Sequence, residues 1–144
     1  MSDSVATRRL PRAGLDPVAT PAAASHLIDA VRARPARHET VCVLLDHRRR
    51  GVGIVSVDGT VEDDSVLEVT DLLATIARVD GRIAACVVAS IRPGGGDHLD
   101  DLDRWSEMSS RLEAAGVELV EWFVLGSDVS CPRALLGEPS RWTR

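Results

Sequence analysis

The chain of 144 residues contains no lysine and no tyrosine, and it has only one phenylalanine, three tryptophans and three cysteines. With so few aromatic side chains, its core is expected to be mainly aliphatic. The cysteines Cys42, Cys86 and Cys131 are widely separated and odd in number, which predicts neither a CxxC metal knuckle nor a disulfide framework. Cys42 and Cys86 lie within apolar runs, as is typical of buried thiols.

Long hydrophobic runs are also missing. No apolar stretch approaches the roughly 20 residues that a membrane span requires, and the N-terminus lacks the apolar segment of a secretory signal. These absences predict a cytoplasmic protein with no membrane partner. The length is that of one domain, which can bury a core without disulfides or metals.

Charge is spread unevenly, and all 17 basic residues are arginine. Residues 1–37 carry six Arg against three Asp, whereas residues 38–144 carry 11 Arg against 19 acidic residues, so the net charge is -5. Phosphate binding depends on clustered cations, and the acidic body therefore predicts no nucleic-acid partner. The absence of lysine has two interpretations, a GC-rich genome that favours arginine codons or avoidance of lysine-directed modification.

Hydrophobic periodicity predicts eight elements in the order α, β, β, α, β, α, β, β. They are a helix within 20–35, strands at 39–46 and 51–59, a helix at 66–79, a strand at 82–91, a helix within 99–115, and strands at 117–125 and 129–136. The predicted fold class is α/β, an α+β mixed sheet with helices packed on it. We expect three parts: a disordered basic tail over 1–19, an N-terminal helix and linker over 20–36, and a domain over 37–144.

The segment SIRPGGGDHLDDLD, Ser90 to Asp103, connects the most hydrophobic strand to the following helix. The end of a buried strand is where α/β sheets commonly place their binding sites. The three glycines permit a tight corner. The four aspartates are typical of a helix N-terminus, where carboxylates stabilise the free amides and the helix dipole.

Three chemical alternatives for this corner have less support in the sequence. A phosphate cradle is expected to carry a Lys-Ser/Thr pair or a GxGxxG motif, and both are absent. The aspartate spacing fits no calcium loop, and Arg92 opposes a cation. Ser90 as a nucleophile with His98 and Asp103 lacks a Gly-x-Ser-x-Gly elbow. His98 and His47 are both expected in surface loops.

Together with Glu39, this corner resembles the RadC-like members of the JAB/MPN (JAMM) metalloprotease superfamily. Those domains carry a glutamate on an early strand, then His-x-His-Pro-Ser-Gly at a strand end, and then an aspartate near the start of a helix. Here Ser90-Ile91-Arg92-Pro93-Gly94-Gly95 stands at the histidine motif, and Asp103 follows Arg92 by 11 residues, as in the family. The resemblance spans about residues 38–138 and implies a single JAB/MPN-like, cytidine-deaminase-like domain.

The same resemblance implies that the metal site is lost. In the family, the two histidines and the aspartate hold zinc, and the glutamate helps to deprotonate a bound water. Ser90 supplies only a weak ligand, and Arg92 places a permanent cation where zinc would lie. We therefore predict no metal and no cofactor. Arg92 is expected to form an ion pair with Asp103 or Glu39, with Asp100 as a further partner.

The predicted function is that of a catalytically inactive RadC/JAB-like domain, a protein-binding or regulatory module whose partner is another protein or a second copy. One alternative is an active metal-dependent hydrolase, peptidase- or isopeptidase-like, with a metal site altered around Glu39, Asp103 and His98. The other is an unrelated α/β ligand-binding domain. A large separation between Glu39 and Asp103 would favour the last.

Overall fold

The structure is a computed structural model that describes residues 10–142, and a five-stranded mixed sheet lies at its centre. In chain order the elements are α1 (Pro21–Val31), β1 (Glu39–Leu45), β2 (Gly51–Asp58), α2 (Ser65–Val79), β3 (Ala85–Ile91), α3 (Asp101–Ala114), β4 (Glu118–Leu125), β5 (Val129–Ser130) and α4 (Pro132–Leu136). The strand order is β2-β1-β3-β4-β5, with β3 parallel to β4 and the other neighbours antiparallel. The predicted fold class, a mixed α/β sheet with helices packed on it, is confirmed.

The two faces of the sheet carry two separate cores, because side chains alternate between the faces along each strand. The face beneath α2 and α3, called the α2/α3 face, is packed by Cys42, Leu44, Cys86, Val88, Trp105, Met108 and Trp122, among others. The opposite face, called the α1 face, is packed by Ile28, Val41, Val43, Val87, Ile91, Phe123 and Trp142, among others. Neighbouring residues of one strand therefore belong to different cores.

The sequence predicts two helix ends from local signals, a start at Thr20-Pro21 and a stop at Gly116. The Ala23 N–H donates to Thr20 Oγ1 at 3.2 Å, and Pro21 is the first residue of α1. Gly116, with φ at 77°, follows α3 in the left-handed conformation that glycine adopts at low cost. These capping and stop residues therefore mark the start of α1 and the end of α3 correctly.

The last predicted strand is wrong beyond Ser130. β5 has only two residues, and Pro132 begins α4 instead. Proline has no N–H to donate to a strand ladder and its fixed φ suits the first position of a helix. β3 is also shorter than predicted, because Ile83 N–H bonds to Asp80 O in a turn before the strand begins at Ala85.

The predicted apolar stripes of two helices include residues that the structure exposes. Helical spacing predicts Leu99 on the buried face of α3, but Leu99 precedes the helix and is 86% exposed. Helical spacing also predicts Leu72 and Val79 on the buried face of α2, yet both are exposed. Buried small residues of α2, such as Ala74 and Ala77, take their place against the core.

Part of the predicted tail packs against the sheet. Val18 is fully buried in the core of the α1 face, and Pro17 forms a bridge with Arg50 just before β2. The Gly14 N–H donates to the carbonyl of Gly51 at 2.9 Å. The prediction of a disordered tail is therefore wrong for residues 10–19, and residues 1–9 lie outside the described part of the chain. Within residues 10–142, the helices are too short or too polar to cross a bilayer.

Candidate functional site

The corner after β3 is built around the backbone of Arg92. Its N–H donates to Leu125 O at 2.7 Å, which continues the ladder with β4 for one residue beyond the strand. The Gly95 N–H donates to Arg92 O at 2.9 Å, and Gly94 adopts a φ of 73° within this turn. The chain therefore reverses tightly, as the glycine run predicts.

The side chain of Arg92 turns inward and forms a buried ion pair with Asp101. Nη1 lies 2.7 Å from Oδ2 and Nη2 lies 3.0 Å from Oδ1, the two-pronged geometry of a strong guanidinium–carboxylate pair. Arg92 is 8% exposed and Asp101 is 1% exposed. Nη1 also donates to Gly96 O at 3.0 Å, and the guanidinium lies 5.8 Å from the centre of the Trp122 ring.

Further donors surround the same carboxylate. The His98 N–H donates to Asp101 Oδ2 at 2.7 Å, and Arg104 Nη1 donates to Oδ1 at 3.0 Å. Arg104 Nε reaches Asp64 Oδ1 at 2.9 Å, which ties α3 to the residue before α2. We call these four residues, Arg92, Asp101, Arg104 and Asp64, the Arg92 cluster. It links the end of β3 to the starts of α3 and α2.

The electrostatics of the Arg92 cluster favour the charged forms. Burial of Asp101 opposes ionisation, but hydrogen bonds from Arg92, the His98 N–H and Arg104, with the charge of Arg92, outweigh it and lower its pKa. Burial likewise opposes the charge of Arg104, and its bonds to Asp64 and Asp101 raise its pKa overall. Both shifts favour the charged forms of Asp101 and Arg104, so neither of these two side chains is a proton donor or acceptor near neutral pH.

The partners predicted for Arg92 are wrong. Asp103 and Asp100 are both exposed, and they line a shallow surface depression beside Glu107. Asp103 stands two positions after Asp101 in α3, which rotates it by about 200° around the helix axis. Asp100 precedes α3 but makes no side-chain capping bond.

Glu39 also lies away from Arg92, on the other face of the sheet. It is paired in register with Ile91, whose side chain belongs to the core of the α1 face. Its carboxylate accepts hydrogen bonds from the Ala33 N–H at 2.6 Å and from Ser56 Oγ at 3.2 Å. The sheet therefore separates Glu39 from the Arg92 cluster, and the two carboxylates proposed to face one metal do not meet.

Ser90 is buried in the α2/α3 face and its hydroxyl has a structural role. Its Oγ accepts a hydrogen bond from Trp122 Nε1 at 2.9 Å. His98, the base of the hypothetical Ser90 triad, instead approaches Asp63 with Nε2 to Oδ1 at 3.5 Å. Both His98 and His47 are exposed, which confirms their predicted surface positions.

The residues at the corner do not fit zinc. Within the part of the chain that the structure describes, no group of three or more His, Cys, Asp or Glu side chains is arranged to hold a metal ion. Arg92 places its cation at the centre of the corner, and Asp101 already accepts hydrogen bonds on both oxygens. No chemical step through a metal can be derived from this arrangement.

The thiols of the described chain are not activated nucleophiles. Cys42 and Cys86 are fully buried, as predicted. Burial raises the pKa of Cys86 to about 12 and raises that of Cys42, with a further contribution from the nearby Cys86. Burial and Glu121 raise the pKa of the half-buried Cys131 to about 11. Thiolate chemistry near neutral pH is therefore disfavoured at all three.

Sequence reasoning missed Asp101, Arg104 and Trp122. The adjacent aspartates Asp100 and Asp101 are indistinguishable by composition, and only the phase of α3 selects the one that turns inward. A tryptophan within an apolar run such as that around Trp122 favours a core or interface position, but only the register of β4 against β3 decides that its indole reaches Ser90. A signal for Arg104 was present, since it lies three residues after Asp101 at helical spacing.

Comparison with models of protein families and with curated proteins finds no match to this chain. The fold and the geometry of the corner therefore carry the functional argument.

Proposed function

We propose that this chain is a non-catalytic RadC/JAB-like domain that acts as a protein-binding or regulatory module. The supporting observation is the Arg92–Asp101 ion pair, which fills the strand-end corner where the resemblance implies zinc ligands. Hydrolysis there requires a metal with an open position or an activated nucleophile. Both oxygens of Asp101 are instead occupied by donors, and the Ser90 hydroxyl is bound by an indole.

One observation supports the relation to RadC-like domains, and another opposes it. The first eight elements follow the predicted order, and Ser90 and Arg92 stand at the end of a central strand beneath helices. In contrast, Glu39 faces α1 and Asp103 is exposed, so the two carboxylates do not face one common metal position. These departures argue against the altered-metal hydrolase and favour an α/β ligand-binding domain as the second candidate.

The edge of β2 is the surface at which we propose that a second copy of the chain binds. β2 is an outermost strand, and no charged residue occurs from Gly51 to Val57. Ile54, in the middle of the strand, is 42% exposed. Edge strands of monomeric proteins usually carry charges or proline that discourage pairing, and this one allows two uncharged strands to align. Among the described residues before α1, Gly14 bonds to Gly51 at the start of β2.

The test combines self-association with metal binding on the purified full chain. Sedimentation equilibrium is expected to show a dimer at micromolar concentrations. Equilibrium dialysis against zinc followed by elemental analysis is expected to show no stoichiometric metal. A monomer at every concentration would refute the second copy as partner, and stoichiometric zinc with metal-dependent peptidase activity would refute the non-catalytic proposal.

A further inference from the structure

A cavity of about 370 Å³ lies between α1 and the carboxyl end of β4, on the α1 face of the sheet. Its volume falls in the range of about 300–1,000 Å³ that small-molecule sites occupy. Ile28, Phe123 and Leu125 supply apolar surface, and Asp29, Arg32 and Asp128 supply charge. The cavity therefore combines apolar surface with charges of both signs, at the strand end where α/β sheets commonly bind ligands.

Arg32 is the residue in this cavity that lacks a suitable acceptor. Its Nε is buried and makes no hydrogen bond with the described residues. Its ion pair with Asp29 spans 3.6 Å, which is longer than a hydrogen bond, whereas Arg34 approaches the same carboxylate at 2.8 Å. Nε itself is closed to solvent, but the side chain as a whole is 25% exposed, and it is this exposed part that a ligand in the cavity can reach. A ligand that supplies an acceptor there meets a guanidinium that makes no hydrogen bond with the described residues.

We propose that this cavity binds a small monocarboxylate, with the carboxylate on the guanidinium of Arg32 and the apolar body against Ile28 and Phe123. Guanidinium groups bind carboxylates through two parallel hydrogen bonds. The carboxylates of Asp29 and Asp128 also line the cavity, and their charge disfavours a dianion such as phosphate. The proposal goes beyond the proposed function and does not depend on the relation to RadC-like domains.

A larger cavity of about 590 Å³ near the start of β2 is a weaker candidate. Its charged side chains are already paired, since Arg50 Nε lies 2.9 Å from Asp46 Oδ2 and Arg82 Nη2 lies 2.7 Å from Asp80 Oδ2. These arginines hold carboxylates of the chain itself. The smaller cavity is the one whose arginine Nε is left without an acceptor.

The first test titrates the ¹⁵N-labelled full chain with phenylacetate, with its uncharged isostere phenylacetamide, and with inorganic phosphate. Phenylacetate is expected to shift the backbone amides of Gly126, Ser127 and Val129 with a Kd in the millimolar range. Phenylacetamide is expected to bind at least about tenfold more weakly because it lacks the charge. Equal binding of acid and amide, stronger shifts with phosphate, or no shifts around the cavity would overturn the proposal.

Matched variants test the role of Arg32. Arg32→Met is expected to weaken phenylacetate binding at least about tenfold, whereas Arg34→Met, at an exposed arginine that pairs with the same aspartate, retains it. Val129→Glu changes a residue that is 66% exposed and places a carboxylate beside the cavity, so it is expected to weaken binding without affecting folding. Unchanged phenylacetate binding in Arg32→Met, or in Val129→Glu if the first variant fails to fold, contradicts the assignment.

Discussion

The carboxylate of Asp101 accepts four hydrogen bonds, two from Arg92 and one each from the His98 N–H and Arg104. Two carboxylate oxygens offer about four lone-pair sites, so this group is saturated. Such saturation makes its charge tolerable at 1% exposure and leaves no site for a metal. Removing one of these donors leaves the buried carboxylate of Asp101 with less compensation for its charge and little access to water.

We expect Arg92→Met to lower the free energy of unfolding by about 3–5 kcal/mol, because it leaves the buried Asp101 without its main counter-charge. Arg82→Met is the matched control, since Arg82 forms a solvent-screened pair with Asp80 and its loss is expected to change the free energy of unfolding far less. Urea denaturation monitored by tryptophan fluorescence measures both. A similar small loss in the two variants would show that the Arg92 cluster contributes little to folding.

The lowered pKa of Asp101 also predicts a pH dependence. A carboxyl whose pKa is lower in the folded than in the unfolded state stabilises the fold above the unfolded value, here 3.8, and this contribution is lost as the pH falls through the folded value. Asp101→Asn is therefore expected to destabilise the chain near pH 7 and to differ less from the wild type at about pH 3. Urea midpoints at both pH values test this; a constant difference would contradict it.

At the scale of elements, the corner after β3 and the turn between β4 and β5 are in backbone contact. The Ser127 N–H donates to Gly95 O at 2.9 Å. A Cβ placed on Gly126 would overlap the carbonyl group of Gly95. Glycine is therefore required at position 126 for the two loops to approach, and the turn helps to hold the corner that contains Arg92.

Gly126→Ala is expected to destabilise the chain by about 1–3 kcal/mol and to displace the corner, because the new methyl group meets backbone rather than a movable side chain. Gly96→Ala provides the control, since a Cβ at Gly96 meets nothing within 4 Å. Thermal unfolding and the amide chemical shifts of residues 92–98 report the two effects. Equal stability of the two variants, with unchanged shifts, would refute this role for Gly126.

The elements themselves were largely predictable, because apolar periodicity and glycine and proline positions are local properties. Their mutual orientation was not. Whether Glu39 faces α1 or α3 depends on the pairing of β1 with β3, and a shift of one residue would reverse it. Whether Asp101 or Asp103 meets Arg92 depends on where α3 begins, which sequence reasoning places only to within a few residues.

At the scale of the whole molecule, the proposed dimer depends on the outer strand β2. Ile54→Asp is expected to abolish the proposed dimer, because the new charge would lie against an apolar partner strand. Leu72→Asp is the control: Leu72 is 44% exposed, close to the 42% of Ile54, but lies on α2. Sedimentation equilibrium compares the two, and loss of the dimer in both variants would place the interface elsewhere.

The fold class could be predicted from the sequence, but the cavity beside Arg32 could not. A continuous apolar run such as β3 predicts a strand at the centre of the sheet, because both of its faces must be buried. The cavity beside Arg32 was not predicted, because it is made by α1 and by the turn after β4, which are distant in sequence. Sites assembled from separate segments depend on packing, which a local pattern does not encode.

The burial of Cys42 and Cys86 provides built-in reporters of how the molecule opens. An alkylating reagent reaches these thiols only when the layer formed by α2 and α3 separates from the strands. Cys131 is half-buried beside the edge strand β5, so a smaller local opening is enough for the reagent to reach it. The order in which the three sulfur atoms are modified would thus record the sequence of opening events without any introduced label.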